Sequence, residues 1–218
     1  IVILGKFQAL IDTGPDIHKL NKCLSRNVPF WDRTIELVIT SHPQKDHDGA
    51  LIDLKNQYKI LNTKTDMKKN DVVKYGMLYF DILSGVVPKE GEVVNTGNDE
   101  NEDSVVVGLS YGKFRALFTA DIGFETELAM KDSGVLKSVD VLKVAHHGSK
   151  YSTGNEFLSI VMPKIAVISV GAKNSYGHPS SDTLMRLDIF KSKVLRTDLF
   201  GSVTIKTDGE NIYVYKER

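Results

Sequence analysis

The 218-residue chain holds one cysteine, one tryptophan and six prolines, and it carries no net charge, 28 basic residues balancing 28 acidic ones. A lone Cys23 excludes an internal disulfide framework and a zinc module built on a cysteine cage. A balanced charge excludes a surface that grips nucleic acid everywhere by bulk attraction, though not a local basic patch. No apolar run exceeds four residues, as at 1–4 and 165–168, far short of the ~20 that a membrane-spanning helix needs. What is present is ordinary for a globular chain: 41% hydrophobic and 26% charged residues, at a length that buries a full core without staples. One domain, residues 1–218, is expected. The chain opens at Ile1 in mid-strand, without a methionine or signal-type leader, and is expected to be a fragment or an excised domain.

Strands and helices alternate along it. Residues 1–4 and Phe7–Ile11 read as short strands around Gly5-Lys6. Asp16 is placed to cap a helix with Ile17, Leu20 and Leu24 on one face, ending before Pro29. Residues 36–40 form an apolar strand, 41–47 a loop, and a helix follows through Leu51 and Leu54. Strands are expected at 58–61 and 77–83. Residues 84–103, with the acidic run from Asn98 to Asp103, read as a solvated surface loop. The second half predicts a hairpin (104–111 and 114–120), a helix at 124–131, a strand at 139–145, a helix at Asn155–Val161, a strand at 165–170 and a helix at 182–190. Three last strands fall at 194–197, 202–207 and 212–215, the final pair joined across Asp208-Gly209. Two strand-rich halves with interspersed helices imply an α/β (αββα) architecture: two mixed sheets packed face to face, helices on the outer faces. His18 reads as a surface residue, Cys23 as a small buried group, and Phe30 and Trp31 as packing.

Chemistry concentrates where apolar strands end. His42-Pro43-Gln44-Lys45-Asp46-His47 follows one strand directly. Asp121 ends another, His146-His147-Gly148-Ser149 a third, and Tyr176-Gly177-His178-Pro179-Ser180 lies just beyond a fourth. Imidazoles and carboxylates on loops anchored by rigid strands are what a divalent cation requires. Each piece alone is ordinary loop decoration; four of them at successive strand ends are not.

Leu10-Ile11-Asp12-Thr13-Gly14, residues 40–49, Thr119-Ala120-Asp121, His146-His147-Gly148-Ser149 and Gly177-His178-Pro179-Ser180 together resemble the metallo-β-lactamase superfamily. The run from Val139 to Ser149 and the run 174–180 resemble one branch of it, the carboxyl-terminal domain of the ComEC DNA-internalisation competence proteins. Arg196-Thr197-Asp198, Gly201 and Thr207-Asp208-Gly209 fit the same branch. Members usually begin with a Gly-Gln-Gly-Asp segment before the strand at 1–4, so the resemblance implies a domain lacking its first amino-terminal strand.

Carried over to the superfamily's His-x-His-x-Asp-His motif, His42, Asp46 and His47 match, while Gln44 stands where the second histidine would be. Asp121 matches the bridging aspartate and His146 the later metal-binding histidine. No histidine lies between His47 and His146, so the middle metal histidine has no counterpart. The resemblance therefore implies a divalent zinc or manganese ion at one well-occupied position (Asp46, His47, Asp121, His146). The second position, built on His42, Gln44 and Asp121, would be weak or empty, because an amide oxygen is a poor ligand beside imidazole. The implied activity is metal-assisted hydrolysis of phosphodiesters, DNA and especially single-stranded DNA, with Asp46 or Asp121 orienting the attacking water. His178 would protonate a leaving oxygen or hold a phosphate oxygen. Ser149, Lys150 and Asn174 would line the substrate pocket, with Lys150 and Lys173 supplying local positive charge. The parent would be a bacterial inner-membrane channel protein outside this chain, with this domain extracytoplasmic; no partner protein can be inferred. Two alternatives stay open: a free-standing hydrolase of small esters, of phosphocholine-esterase type, and a catalytically degenerate module that binds DNA or protein, which Gln44 favours.

Overall fold

The structure is a computed structural model that describes residues 1–65, 67–84 and 104–218. It forms two compact units, Ile1–Met67 and Lys68–Arg218, each a mixture of strands and helices.

In the first unit, β1 (Val2–Leu4) pairs antiparallel with β2 (Phe7–Ile11). β2 runs parallel to β4 (Leu37–Ile39), and β4 parallel to β6 (Thr63–Lys64). β4 is buried throughout, as expected of a strand with parallel neighbours on both sides. A second, two-stranded parallel sheet joins β3 (Thr34–Ile35) to β5 (Lys59–Ile60). Helix α1 (Ile17–Asn27) begins where the Asp16 carboxylate accepts the His18 N–H at 2.7 Å, which satisfies one of the donors a helix start leaves open. It ends at Val28, whose extended backbone is what a following proline imposes. Leu20 and Leu24, one helical turn apart, pack with Leu10, Ile35, Val38, Leu54 and Tyr58. Helices α2 (Lys45–Asp48) and α3 (Leu51–Gln57) follow β4.

The second unit is organised around a seven-stranded mixed sheet. β7 (Val72–Tyr75), β8 (Leu78–Ser84), β9 (Val106–Tyr111) and β10 (Phe114–Phe118) form an antiparallel meander. β11 (Val141–Lys143), β12 (Ile165–Ile168) and β13 (Lys193–Arg196) extend it in parallel from β10. Helices α4 (Phe124–Asp132), α5 (Asn155–Val161) and α6 (Ser181–Ile189) connect the four parallel strands in turn. Parallel neighbours need such crossovers, and the arrangement brings the carboxyl ends of β10, β11 and β12 side by side. Leu142, Val144, Phe157, Leu158, Ile168 and Leu187 fill the core, each such burial stabilising by roughly 1.5–3 kcal/mol. A short helix α7 (Thr197–Phe200) and the hairpin β14 (Val203–Thr207) with β15 (Ile212–Lys216) complete the chain. The Asp208 carboxyl in the hairpin turn is lowered to about 2, chiefly by its hydrogen bond from the Asn211 side chain.

Most expected elements are present, with differences in detail. β3, β6 and β7 were not foreseen; the first two have only two residues each, and β7 is largely exposed. The strand expected at 139–145 pairs only over Val141–Lys143, because the chain then turns through left-handed conformations at His146 and His147. Phe30 and Trp31 are not packed inside: they are 78% and 73% exposed and meet each other edge to face. Cys23 is half-buried rather than buried, and His18 is exposed as expected. Of the loop expected at 84–103, residues 85–103 lie outside the described residues. No helix among the described residues is long and apolar enough to cross a membrane.

Candidate metal centre

In the first unit the chemistry sits where β4 ends. Ser41, His42 and His47 are all buried. Asp12, just after β2, reaches across to this segment: its Oδ1 accepts the Ser41 N–H at 2.8 Å, and its Oδ2 lies 3.0 Å from Ser41 Oγ and 2.7 Å from His47 Nδ1. Ser41 Oγ is also 3.0 Å from His42 Nδ1, and the two imidazole rings stand 4.0 Å apart. The His47 carbonyl accepts the N–H groups of Thr13 and Gly14, so the Asp12-Thr13-Gly14 turn holds both ends of this histidine. Part of the expected loop 41–47 is therefore the helical turn α2, which carries Asp46 and His47. Gly49 makes the turn possible, since a Cβ there would stand 2.3 Å from the Lys45 carbonyl oxygen. With its ring anchored through Nδ1, His47 turns Nε2 toward Asp46 Oδ2, 3.8 Å away. Gln44 takes part through its backbone, its carbonyl accepting the N–H groups of His47 and Asp48.

In the second unit Asp121 is buried just past the end of β10. His147 Nδ1 donates to the Ser169 carbonyl beyond β12 at 2.6 Å, which leaves Nε2 3.5 Å from Asp121 Oδ2. The other Asp121 oxygen, Oδ1, lies 3.7 Å from Lys143 Nζ. His146, the histidine matched from the superfamily, packs edge-on against His178 at 5.8 Å; it is His147 whose ring lies against Asp121. Burial lowers the His178 imidazole below its ordinary value of 6.5, the neighbouring His146 and His147 act in the same direction, and Asp121 opposes them. The shift favours the neutral imidazole, a form that can give one N–H to an anionic oxygen.

The residues expected to line a substrate pocket divide. Lys150 and Lys173 are exposed, and the Lys150 ammonium lies over the Tyr151 ring. Ser149 is buried, its Oγ accepting the Tyr151 N–H. Asn174 is engaged with the backbone: its amide accepts the His178 N–H and donates to the carbonyls of Gly171 and His178. It braces the loop that carries His178. A cleft of about 470 Å³ in the first unit, beside Gln8, Asp32, Glu36 and Trp31, contains none of these groups.

The donor set fits a divalent metal ion. Histidines that bind metals through one nitrogen typically donate the other to a carboxylate or a backbone carbonyl. His47 does the first with Asp12 and His147 does the second with Ser169. In each unit an imidazole Nε2 and a carboxylate oxygen are left within 4.8 Å of each other, close to the roughly 3–4 Å that separates two ligands of one ion. Sequence reasoning did not single out His147 as a donor, gave Asp12 no role beyond its place in a family motif, and did not single out Lys143 or Ser169. Lys143 read as a strand residue, and the Ser169 contribution is a main-chain carbonyl, which no residue type announces.

Residues 1–172 match the Metallo-beta-lactamase superfamily, and the chain belongs to it. The ComE operon protein 3 of Bacillus subtilis (strain 168) is 35% identical over 153 residues, 70% of this chain and 18% of the relative. Recombination protein 2 of Haemophilus influenzae is 29% identical over 224 residues, 96% of this chain and 27% of the relative. These are ComEC-family competence proteins, the branch that the motifs resemble. The chain spans less than a third of the length of either. Among solved structures, the metallo-β-lactamase fold protein YhfI from Bacillus subtilis superposes with a TM-score of 0.58 over 98% of this chain and 89% of its own, at 12% identity. Tm1679, a metal-dependent hydrolase of the same superfamily, gives 0.52 over 87% of this chain and 85% of its own, at 15% identity. Both establish the α/β metallo-β-lactamase fold.

Proposed function

We propose that this chain is a metal-dependent phosphodiesterase domain acting on DNA, as a nuclease in the uptake of DNA by competent cells. The observation that carries the metal reading is the matched tethering of His47 and His147, each fixed through Nδ1 with Nε2 beside a carboxylate. Asp46, His47, Asp121 and His147 are the proposed ligands, with His42 beside His47, and the ion is zinc or manganese. When bound, such an ion supplies a hydroxide near neutral pH and polarises the phosphorus–oxygen bond. The chain's own residues do the rest. Asp12 and Ser169 hold the two imidazoles in one tautomer, and Asp46 or Asp121 accepts a hydrogen bond from the attacking water. His178 holds a phosphate oxygen. Lys150 and Lys173, both exposed on the second unit, attract the phosphate backbone through short-range charge that the zero net total leaves room for.

The kinship to competence proteins supports DNA over a small ester, and the parent is proposed to be a membrane channel with this domain on the outer side. Incubating the chain with single-stranded DNA and manganese tests the proposal. Cleavage is expected, with a fall of at least a hundredfold in Asp121→Ala. Metal binding without cleavage of DNA, with turnover of a small phosphoester instead, would favour the small-ester reading; neither metal nor cleavage would favour a degenerate binding module.

A further inference from the structure

The two oxygens of Asp121 face different partners. Oδ2 faces His147 Nε2 at 3.5 Å, where the proposed ion would be shared; Oδ1 faces Lys143 Nζ at 3.7 Å. A carboxylate can bridge two metals by giving one oxygen to each. Here the second oxygen already has a cation beside it, and that cation is fixed to the chain. Lys143 ends β11, in register with Phe118 of β10, and its own carbonyl accepts the Thr119 hydroxyl at 2.6 Å. Its ammonium donates to the Ala120 carbonyl at 3.2 Å, and the side chain is only 20% exposed. The charge is thus held at the strand end by the backbone of the segment that presents Asp121. A divalent ion entering beside Oδ1 would have to displace this ammonium or sit against it, and like charges at such range repel strongly where water is scarce.

We infer that the Lys143 ammonium occupies the position beside Asp121 Oδ1 that a second metal ion would take, so that this centre binds one ion and uses lysine as its second positive charge. The inference rests on the metal reading above and goes beyond it by assigning the ion count to a residue. As a positioning residue, Lys143 balances the Asp121 charge and would face the same phosphate oxygens that a second ion clamps.

Calorimetric titration of manganese into the full chain tests this without reference to activity. The unaltered chain is expected to take up one ion. Lys143→Met, similar in length but uncharged, is expected to take up a second, with the second step tightened at least tenfold. Lys143→Arg, which keeps the charge, is expected to remain at one. A thermal melt checks that each variant is folded, and Lys143→Gln replaces the methionine variant if that one is not. One ion in both neutral variants would overturn the inference while leaving the metal reading intact, as would two ions in the unaltered chain. No ion in the unaltered chain would overturn both.

Discussion

A neutral imidazole has one N–H and one lone pair, so whatever fixes the N–H also decides where the lone pair points. In His47 that choice is made by Asp12, and in His147 by the Ser169 carbonyl. The two arrangements differ in how they respond to mutation, because a carboxylate is removable and a carbonyl is not. Asp12→Ala should leave the metal-facing atoms in place but free the His47 ring to turn and change tautomer. Manganese affinity is expected to fall by about 10–100-fold, measured by titration. Asp12→Asn, which can still accept from Nδ1, should lose less. Equal affinity in Asp12→Ala and the unaltered chain would mean that Asp12 does not orient His47 for metal binding.

At the scale of elements, the segment 149–154 shows how the fold holds a loop beside the centre. It leaves the His146-His147 turn and runs into α5, yet its backbone is not left to solvent. The buried Glu127 on α4 accepts the N–H groups of Thr153 and Gly154. Arg186 on α6 donates to the carbonyls of Lys150, Ser152 and Thr153, and Thr183 donates to that of Ser149. Gly148 lies against Pro179, where a Cβ would stand 2.6 Å from the proline Cβ, and its φ is +85°. The loop is thus clamped by one acid and one base from neighbouring helices. Arg186→Ala removes a charged donor from three carbonyls at once and should destabilise the chain by roughly 2–4 kcal/mol, read as a shift of the urea midpoint. A change below about 0.5 kcal/mol would show that water replaces the guanidinium without loss.

Across the whole molecule, what could be read from the sequence followed physical periodicity. α1, α5 and β12 were legible because their apolar residues repeat at helical spacing or run unbroken between turns. β3 and β6 were not, since two residues have no period, and β7 was hidden by its exposure. The candidate centre was legible as residue types at strand ends: His42, Asp46 and His47 follow β4, and Asp121 lies just past β10. Which of His146 and His147 faces Asp121 was not legible, because both backbones turn left-handed there and the register of a tight turn has no side-chain pattern. The partners that orient the rings lie 35 and 22 positions away in sequence, and one of them is a backbone atom. The fold therefore supplies what the motif alone lacks: a choice of nitrogen, a choice of histidine and a fixed ammonium beside the aspartate.

The most direct measurement is the metal content of the purified chain, counted by plasma mass spectrometry after loading with manganese and exhaustive dialysis. The account predicts close to one ion in the unaltered chain and in His146→Ala, and little or none in His47→Ala and His147→Ala. Full retention of the ion by the last two variants, or its loss from His146→Ala alone, would contradict it.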